Sequence, residues 1–152
     1  MASPPMLMTR EVEDPMVRHS VQESGIVEAL RYKWIESERA GRDLGESAIC
    51  CWVRHHWNGF LRAKWLEHLE GKAFWVELDQ DDFGLLQHSF LDCPIKEEVL
   101  YRLKCGEENL DVITWAIDER QDVKMLIDLL EALDINSRRI EFQFLKRLAQ
   151  AG

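Results

Sequence analysis

Cys51 and His55 stand four residues apart, one turn of a helix, so a thiol and an imidazole share a face there and could hold a metal together. His56 or His68 would be near enough in a folded bundle to add a third ligand. His56 also falls inside the apolar stripe Ile49, Val53, Trp57, Phe60, which predicts a partly buried ring suited to a ligand or proton-transfer role. Glu38 and Arg42 have the i,i+4 spacing of a helical ion pair. Set half-buried against a neighbouring helix, such a pair would be a specificity device or a site for a small ligand. Glu38, Arg42, His55 and His56 are therefore the ligand-binding candidates, and Cys51 with His55 the weaker metal candidate. The cofactor they would serve is unknown from sequence.

Complete catalytic constellations are harder to find. Glu-x-x-His, the spacing that places two di-iron ligands on one helix face, occurs before none of the five histidines, and neither C-x-x-C nor H-E-x-x-H is present. Asp79, Asp81 and Gly84 fit three positions of a calcium loop, but Phe83 and Phe90 fall where further oxygen ligands must be, so the sphere cannot close. Glycine-rich phosphate loops and the G-x-S-x-G nucleophile turn are missing too. The chain reads as a non-enzymatic protein, with enzyme activity undecided.

One local charge anomaly remains. Residues 49–66 carry Arg54, Arg62 and Lys64 and no acid, interleaved with Trp52, Trp57 and Trp65, whereas residues 67–98 are strongly acidic. Trp52, Arg54, Trp57, Arg62 and Trp65 are accordingly the interaction candidates, since tryptophan and arginine dominate the energetic centres of interfaces. The same set could stack on bases. A net charge of −9 over 152 residues opposes nucleic-acid binding, because phosphate neutralisation supplies most of that affinity.

Elements must position these residues, and the apolar period is helical nearly throughout. Ser20-Val21-Gln22-Glu23 has the form of a capping box, and Ile26, Val27, Leu30 and Trp34 then fall on one arc, predicting a helix over 21–40 that Gly41 ends. Asp43-Leu44-Gly45-Glu46 offers a second cap. Beyond the Ile49–Phe60 stripe the apolar set becomes Leu61, Trp65 and Leu69, out of phase with the first, which predicts a kink or tight turn at Asn58-Gly59. Residues 73–78 alternate like a strand but have no evident partner, so a loop or short helix is expected. Pro94 opens a run of four short helices marked by Ile95/Val99/Leu103, Leu110/Ile113/Ile117, Val123/Leu126/Ile127/Leu130/Leu133 and Ile140/Phe144/Leu145/Leu148.

The expected fold is thus all-α, about six or seven helices, with an N-terminal helical hairpin (20–70), a loop-rich connection (71–93) and a C-terminal cluster of short helices (94–150). Residues 1–18 read as a flexible arm and 19–152 as one domain. No secretory signal or 18-residue apolar run is visible, and the scattered cysteines read as reduced thiols, so a cytoplasmic protein is expected. Six tryptophans in a small helical chain point to a protein-interaction or self-association module. The alternative is a ligand, metal or cofactor site around residues 38–56.

Overall fold

Ser20 starts the first helix as its sequence predicts: the hydroxyl accepts the Glu23 amide at 3.2 Å. The carboxylate that completes the cap comes from elsewhere. Glu77, not Glu23, accepts from the Ser20 hydroxyl at 2.5 Å and from the amides of Val21 and Gln22 at 2.7 and 3.1 Å. Burial pushes the Glu77 carboxyl up, but these hydrogen bonds outweigh it and hold it below the usual carboxylate range. A computed structural model describes residues 17–144, of which the expected flexible arm contributes only Val17 and Arg18.

The fold is all-α: the described residues are 64% helical with almost no strand. Among the described residues the helices are α1 (Val21–Ala40), α2 (Glu46–Trp52), α3 (Asn58–Glu70), α4 (Lys96–Lys104), α5 (Asn109–Asp118) and α6 (Val123–Leu133). None is long and apolar enough to cross a membrane. Two-residue strands β1 (Arg18–His19) and β2 (Phe74–Trp75) pair in parallel, and the Val76 amide extends the ladder to the His19 carbonyl at 2.8 Å. Residues 73–78 thus find a partner within the chain, in the segment just before α1, and this pairing is what brings Glu77 to the helix end.

Gly41 ends α1 in the left-handed conformation expected of it, with φ of 72°. Asp43 does not cap α2, however. Its carboxylate accepts the Gly45 amide at 2.9 Å, closing a tight turn, and Gly45 itself stands at the cap without a side-chain bond.

Between α2 and α3 the helix does not turn at Asn58-Gly59. It runs on through a π-helical turn at Val53–Trp57. The reason lies in the core: Trp52 and Trp57 are both about 5% exposed or less. Five residues apart on an α-helix they would face different ways, whereas the wider π turn keeps both inward. The phase change read from the sequence is real, and one inserted residue rather than a break accommodates it.

The face that α1 buries also differs from the expected arc. Val21, Gln22, Gly25 and Ala29 are covered, while Val27 and Leu30 are 42% and 37% exposed. Large rings need small neighbours: a Cβ on Gly25 would stand 2.8 Å from the Trp57 ring and 2.9 Å from Phe142. Phe142 lies in an irregular segment, and of the helix expected from Ile140 onward only Phe144, the last described residue, is helical. Gln22 fixes that segment by donating to the Glu141 carbonyl at 2.8 Å and accepting the Gln143 amide at 2.9 Å, and Trp57 Nε1 donates to the Ile140 carbonyl at 2.7 Å. Leu145 and Leu148 lie outside the described residues.

The core continues from these aromatics through Trp65, Leu66, Leu69 and Trp75 to Leu103, Val112, Leu126, Leu129 and Leu133. At its centre His68 is fully buried. The Trp75 amide donates to its Nδ1 at 3.2 Å, so the proton sits on Nε2, which donates to the Asp79 carbonyl at 2.8 Å. Burial lowers its pKa, against the smaller upward pull of the Asp79 carbonyl and the Asp82 and Asp79 carboxylates.

Candidate functional site

Glu38 and Arg42 do not form the pair their spacing suggests. Both are exposed, and because Gly41 turns the backbone out of the helix, Arg42 lies past the last turn and the i,i+4 relation is lost. They line a recess of about 570 Å³ with Trp34 and Lys33, whose ammonium is 3.8 Å from Asp43.

His55 and His56 line a different recess, of about 380 Å³, with Tyr32, Ile35, Phe60 and Glu28. The α1 residues of the two recesses lie on different faces of that helix, so the four ligand candidates do not converge. His56 is exposed rather than partly buried. The π turn that keeps Trp52 and Trp57 inward carries Arg54, His55 and His56 to the outside of the widened turn. The His56 ring nevertheless packs on Tyr32, with centroids 5.5 Å apart.

Cys51 does not line that recess. Its sulfur lies 3.4 Å from the Tyr32 hydroxyl, and that contact, with some desolvation, raises the phenol above its ordinary range. Among the described residues no three histidine, cysteine, aspartate or glutamate side chains come together in a set able to hold a metal ion. The acidic loop likewise has structural duties. Glu77 caps α1, Asp79 closes a turn by accepting the Asp81 amide at 2.9 Å, and Asp82 lies 3.4 Å from Arg138.

Of the interaction candidates, Trp52, Trp57 and Trp65 are core residues, 5%, 4% and 1% exposed, so the tryptophan-rich surface imagined from sequence does not exist there. A run of three tryptophans with basic neighbours looks the same in sequence whichever side it faces. Trp65 donates its indole N–H to the Leu133 carbonyl at 2.7 Å, tying α3 to the end of α6. Arg62 forks the Glu108 carboxylate at 3.0 Å and donates to the Glu107 carbonyl at 3.0 Å. Arg54 alone of the five stands in solvent.

An apolar surface appears instead on α5 and α6. A reciprocal capping box between Glu108 and Asp111 starts α5, and Asp122 caps α6 by accepting the Met125 amide at 3.1 Å. α5 buries Val112 and Ala116 and leaves Leu110 and Ile117 outward, 73% and 58% exposed, with Ile113 between them half-buried against the core. On α6 Leu126, Leu129, Leu130 and Leu133 are buried and Ile127 is 40% exposed. Between the helices runs a groove of about 300 Å³ with Ile113, Ile127, Leu130 and Ile135 on its walls and Glu131 and Asp134 on its rim. Among the described residues no lysine or arginine lines it. Single exposed apolar residues are ordinary, but a continuous stripe beside a groove is a docking geometry.

Sequence reasoning missed this surface because Leu110, Ile113 and Ile117 satisfy the i,i+3,i+7 rule for a buried face. The available signal was the second option on the same helix, Val112 and Ala116, whose smaller side chains permit closer packing against α4 and α6. Compared with known proteins, the chain matches no family model, no curated protein and no solved structure.

Proposed function

We propose that the chain is a non-enzymatic protein-interaction module, and that its docking face is the groove between α5 and α6. The observation that carries this reading is the exposed apolar set Leu110, Ile117 and Ile127 beside a groove that Ile113 lines, rimmed by Glu131 and Asp134 and lined by no cation among the described residues. Charge complementarity names the occupant: a partner segment presenting apolar side chains flanked by lysine or arginine. Self-association through the same face would bring the acids of two chains together, each already carrying a net charge of −9. Free thiols at all four cysteines support a reducing, cytoplasmic setting.

The test uses a defined probe, a model amphipathic peptide of leucine and lysine, against its glutamate-substituted counterpart. Fluorescence anisotropy should show saturable binding of the lysine peptide only. Ile117→Glu should weaken it roughly tenfold or more, since covering one isoleucine is worth about 1.5–3 kcal/mol. Equal binding of both peptides, or an unchanged affinity in Ile117→Glu, would refute the reading. Concentration-dependent dimerisation abolished by Ile117→Glu would instead make a second copy the occupant.

A second reading, a small ligand or metal at the recess of Tyr32, His55 and His56, draws on the π turn, since such turns are frequent at functional sites. Metal analysis and an absorption spectrum of protein purified without chelator test it. Sub-stoichiometric metal and no chromophore would remove its metal and coloured-cofactor forms.

A further inference from the structure

Three arginines meet where α3 passes the chain leaving α6, a cationic spot on an acidic protein. Arg62 comes from α3, and Arg138 and Arg139 follow Asn136 in the segment after α6. With Asn58 they surround a recess of about 30 Å³ floored by Trp65. We propose that this recess binds a small tetrahedral oxyanion, the phosphate of inorganic phosphate or of a small phosphomonoester.

The three guanidinium groups are held differently. Arg62 is anchored by Glu108 and the Glu107 carbonyl, with its side chain only 15% exposed. Arg138 lies over the Trp65 ring, 4.7 Å from its centroid, with one terminal nitrogen 3.4 Å from Asp82. That stacking orients the group and keeps Nε buried, where it donates to no acceptor. A buried donor left unbonded is costly, and an anion in the recess would satisfy it. Arg139 is exposed and has no ion pair with a described acid, so its charge is unbalanced. The amides of Asn58 and Asn136 add neutral donors around the same opening.

Charge and size then select the ligand class. Glu108 and Asp82 offset two of the three cations, which leaves a local excess that suits an anion carrying one or two charges. At about 30 Å³ the recess admits one oxygen of the anion, the rest of which stands at its mouth, and Trp65 is already covered by Arg138, so no aromatic ring can stack on it. Cationic side chains come from both chain segments, an arrangement that the oxygens of a tetrahedral group can meet better than the two of a planar carboxylate.

Thermal unfolding should be followed while inorganic phosphate, glycerol phosphate, acetate or chloride is titrated at constant ionic strength. Phosphate and glycerol phosphate should raise Tm saturably, and the one with the lower midpoint concentration identifies the source. Arg139→Gln, at an exposed position, should raise that midpoint roughly tenfold, whereas Arg54→Gln, an exposed arginine that does not line the recess, should not change it. Arg138→Gln should abolish the response, and Arg139→Gln keeps the test valid if that variant is too unstable to measure. No saturable response, an equal response to acetate, or identical midpoints in wild type and Arg139→Gln would overturn the assignment.

Discussion

Replacing Gly25 with alanine should destabilise the protein even though it removes a glycine from the interior of a helix. In isolation the exchange favours the helix by about 0.5–1 kcal/mol. Here the added Cβ would stand 2.8 Å from Trp57 Cζ3 and 2.9 Å from Phe142 Cε1, and neither ring is the loose end of a flexible chain. Trp57 is 4% exposed and tied to the Ile140 carbonyl, and Phe142 is 4% exposed with its ring centroid 4.6 Å from that of Trp57. Overpacking of this kind costs about 1–3 kcal/mol, so the net change should be a loss of about 1–2 kcal/mol. Gly59 is the internal control. It also lies within a helix, but a Cβ there meets nothing within 4 Å, so Gly59→Ala should gain about 0.5–1 kcal/mol. Urea unfolding followed by tryptophan fluorescence and far-ultraviolet circular dichroism measures both changes. Phe142→Leu should recover part of the Gly25→Ala loss in a double-mutant cycle, because the two substitutions act on one contact. If Gly25→Ala stabilised the protein as much as Gly59→Ala, the tight seat of the irregular segment against α1 would be wrong.

Two further expectations concern buried or bonded titratable groups. Glu77→Gln should cost about 2 kcal/mol at neutral pH, since it removes the charged acceptor for three donors at the start of α1. With the folded Glu77 held below its ordinary value, that advantage is present above about pH 4.3 and is lost as pH falls through the folded value, so the gap between wild type and variant should close in acid. His68 also has a lowered folded value but is a base, neutral in the fold and charged in the unfolded chain at low pH. The unfolded chain then binds the extra proton, and stability should decline as pH falls below about 6.5 toward the folded value. Urea midpoints between pH 7.5 and 5 should show this slope reduced in His68→Gln, and an unchanged slope would contradict a buried imidazole held neutral by the fold.

Helix starts and stops were the most legible features where they depend on local chemistry: Ser20 and Gly41 frame α1. Which face each helix buries was less so. Ile26, Val27, Leu30 and Trp34 outweigh Gly25 and Ala29 in any hydrophobic count, yet the neighbouring element is a layer of large rings, and only small side chains fit against it. The same competition hid the outward stripe of α5. Long-range partners were not legible at all: Glu77 caps a helix more than fifty positions away, and Gln22 holds Glu141 and Gln143 by backbone bonds. Those contacts depend on tertiary placement, which no local pattern encodes. In the candidate site, Glu38 and Arg42 were separated by the left-handed Gly41, and His55 and His56 were turned outward by a π turn. A five-residue interval between the two buried tryptophans, Trp52 and Trp57, was the one trace of that turn in the sequence.

The account of function rests on α5 and α6 offering an acidic-rimmed apolar groove to a cationic partner segment. A titration of isotope-labelled protein with the leucine–lysine peptide, followed by amide chemical shifts, tests it most directly. Saturable shifts should concentrate on Leu110, Ile113, Ile117, Ile127 and Glu131. Shifts confined to Tyr32, His55 and His56, or spread evenly over the acidic surface without saturation, would contradict it.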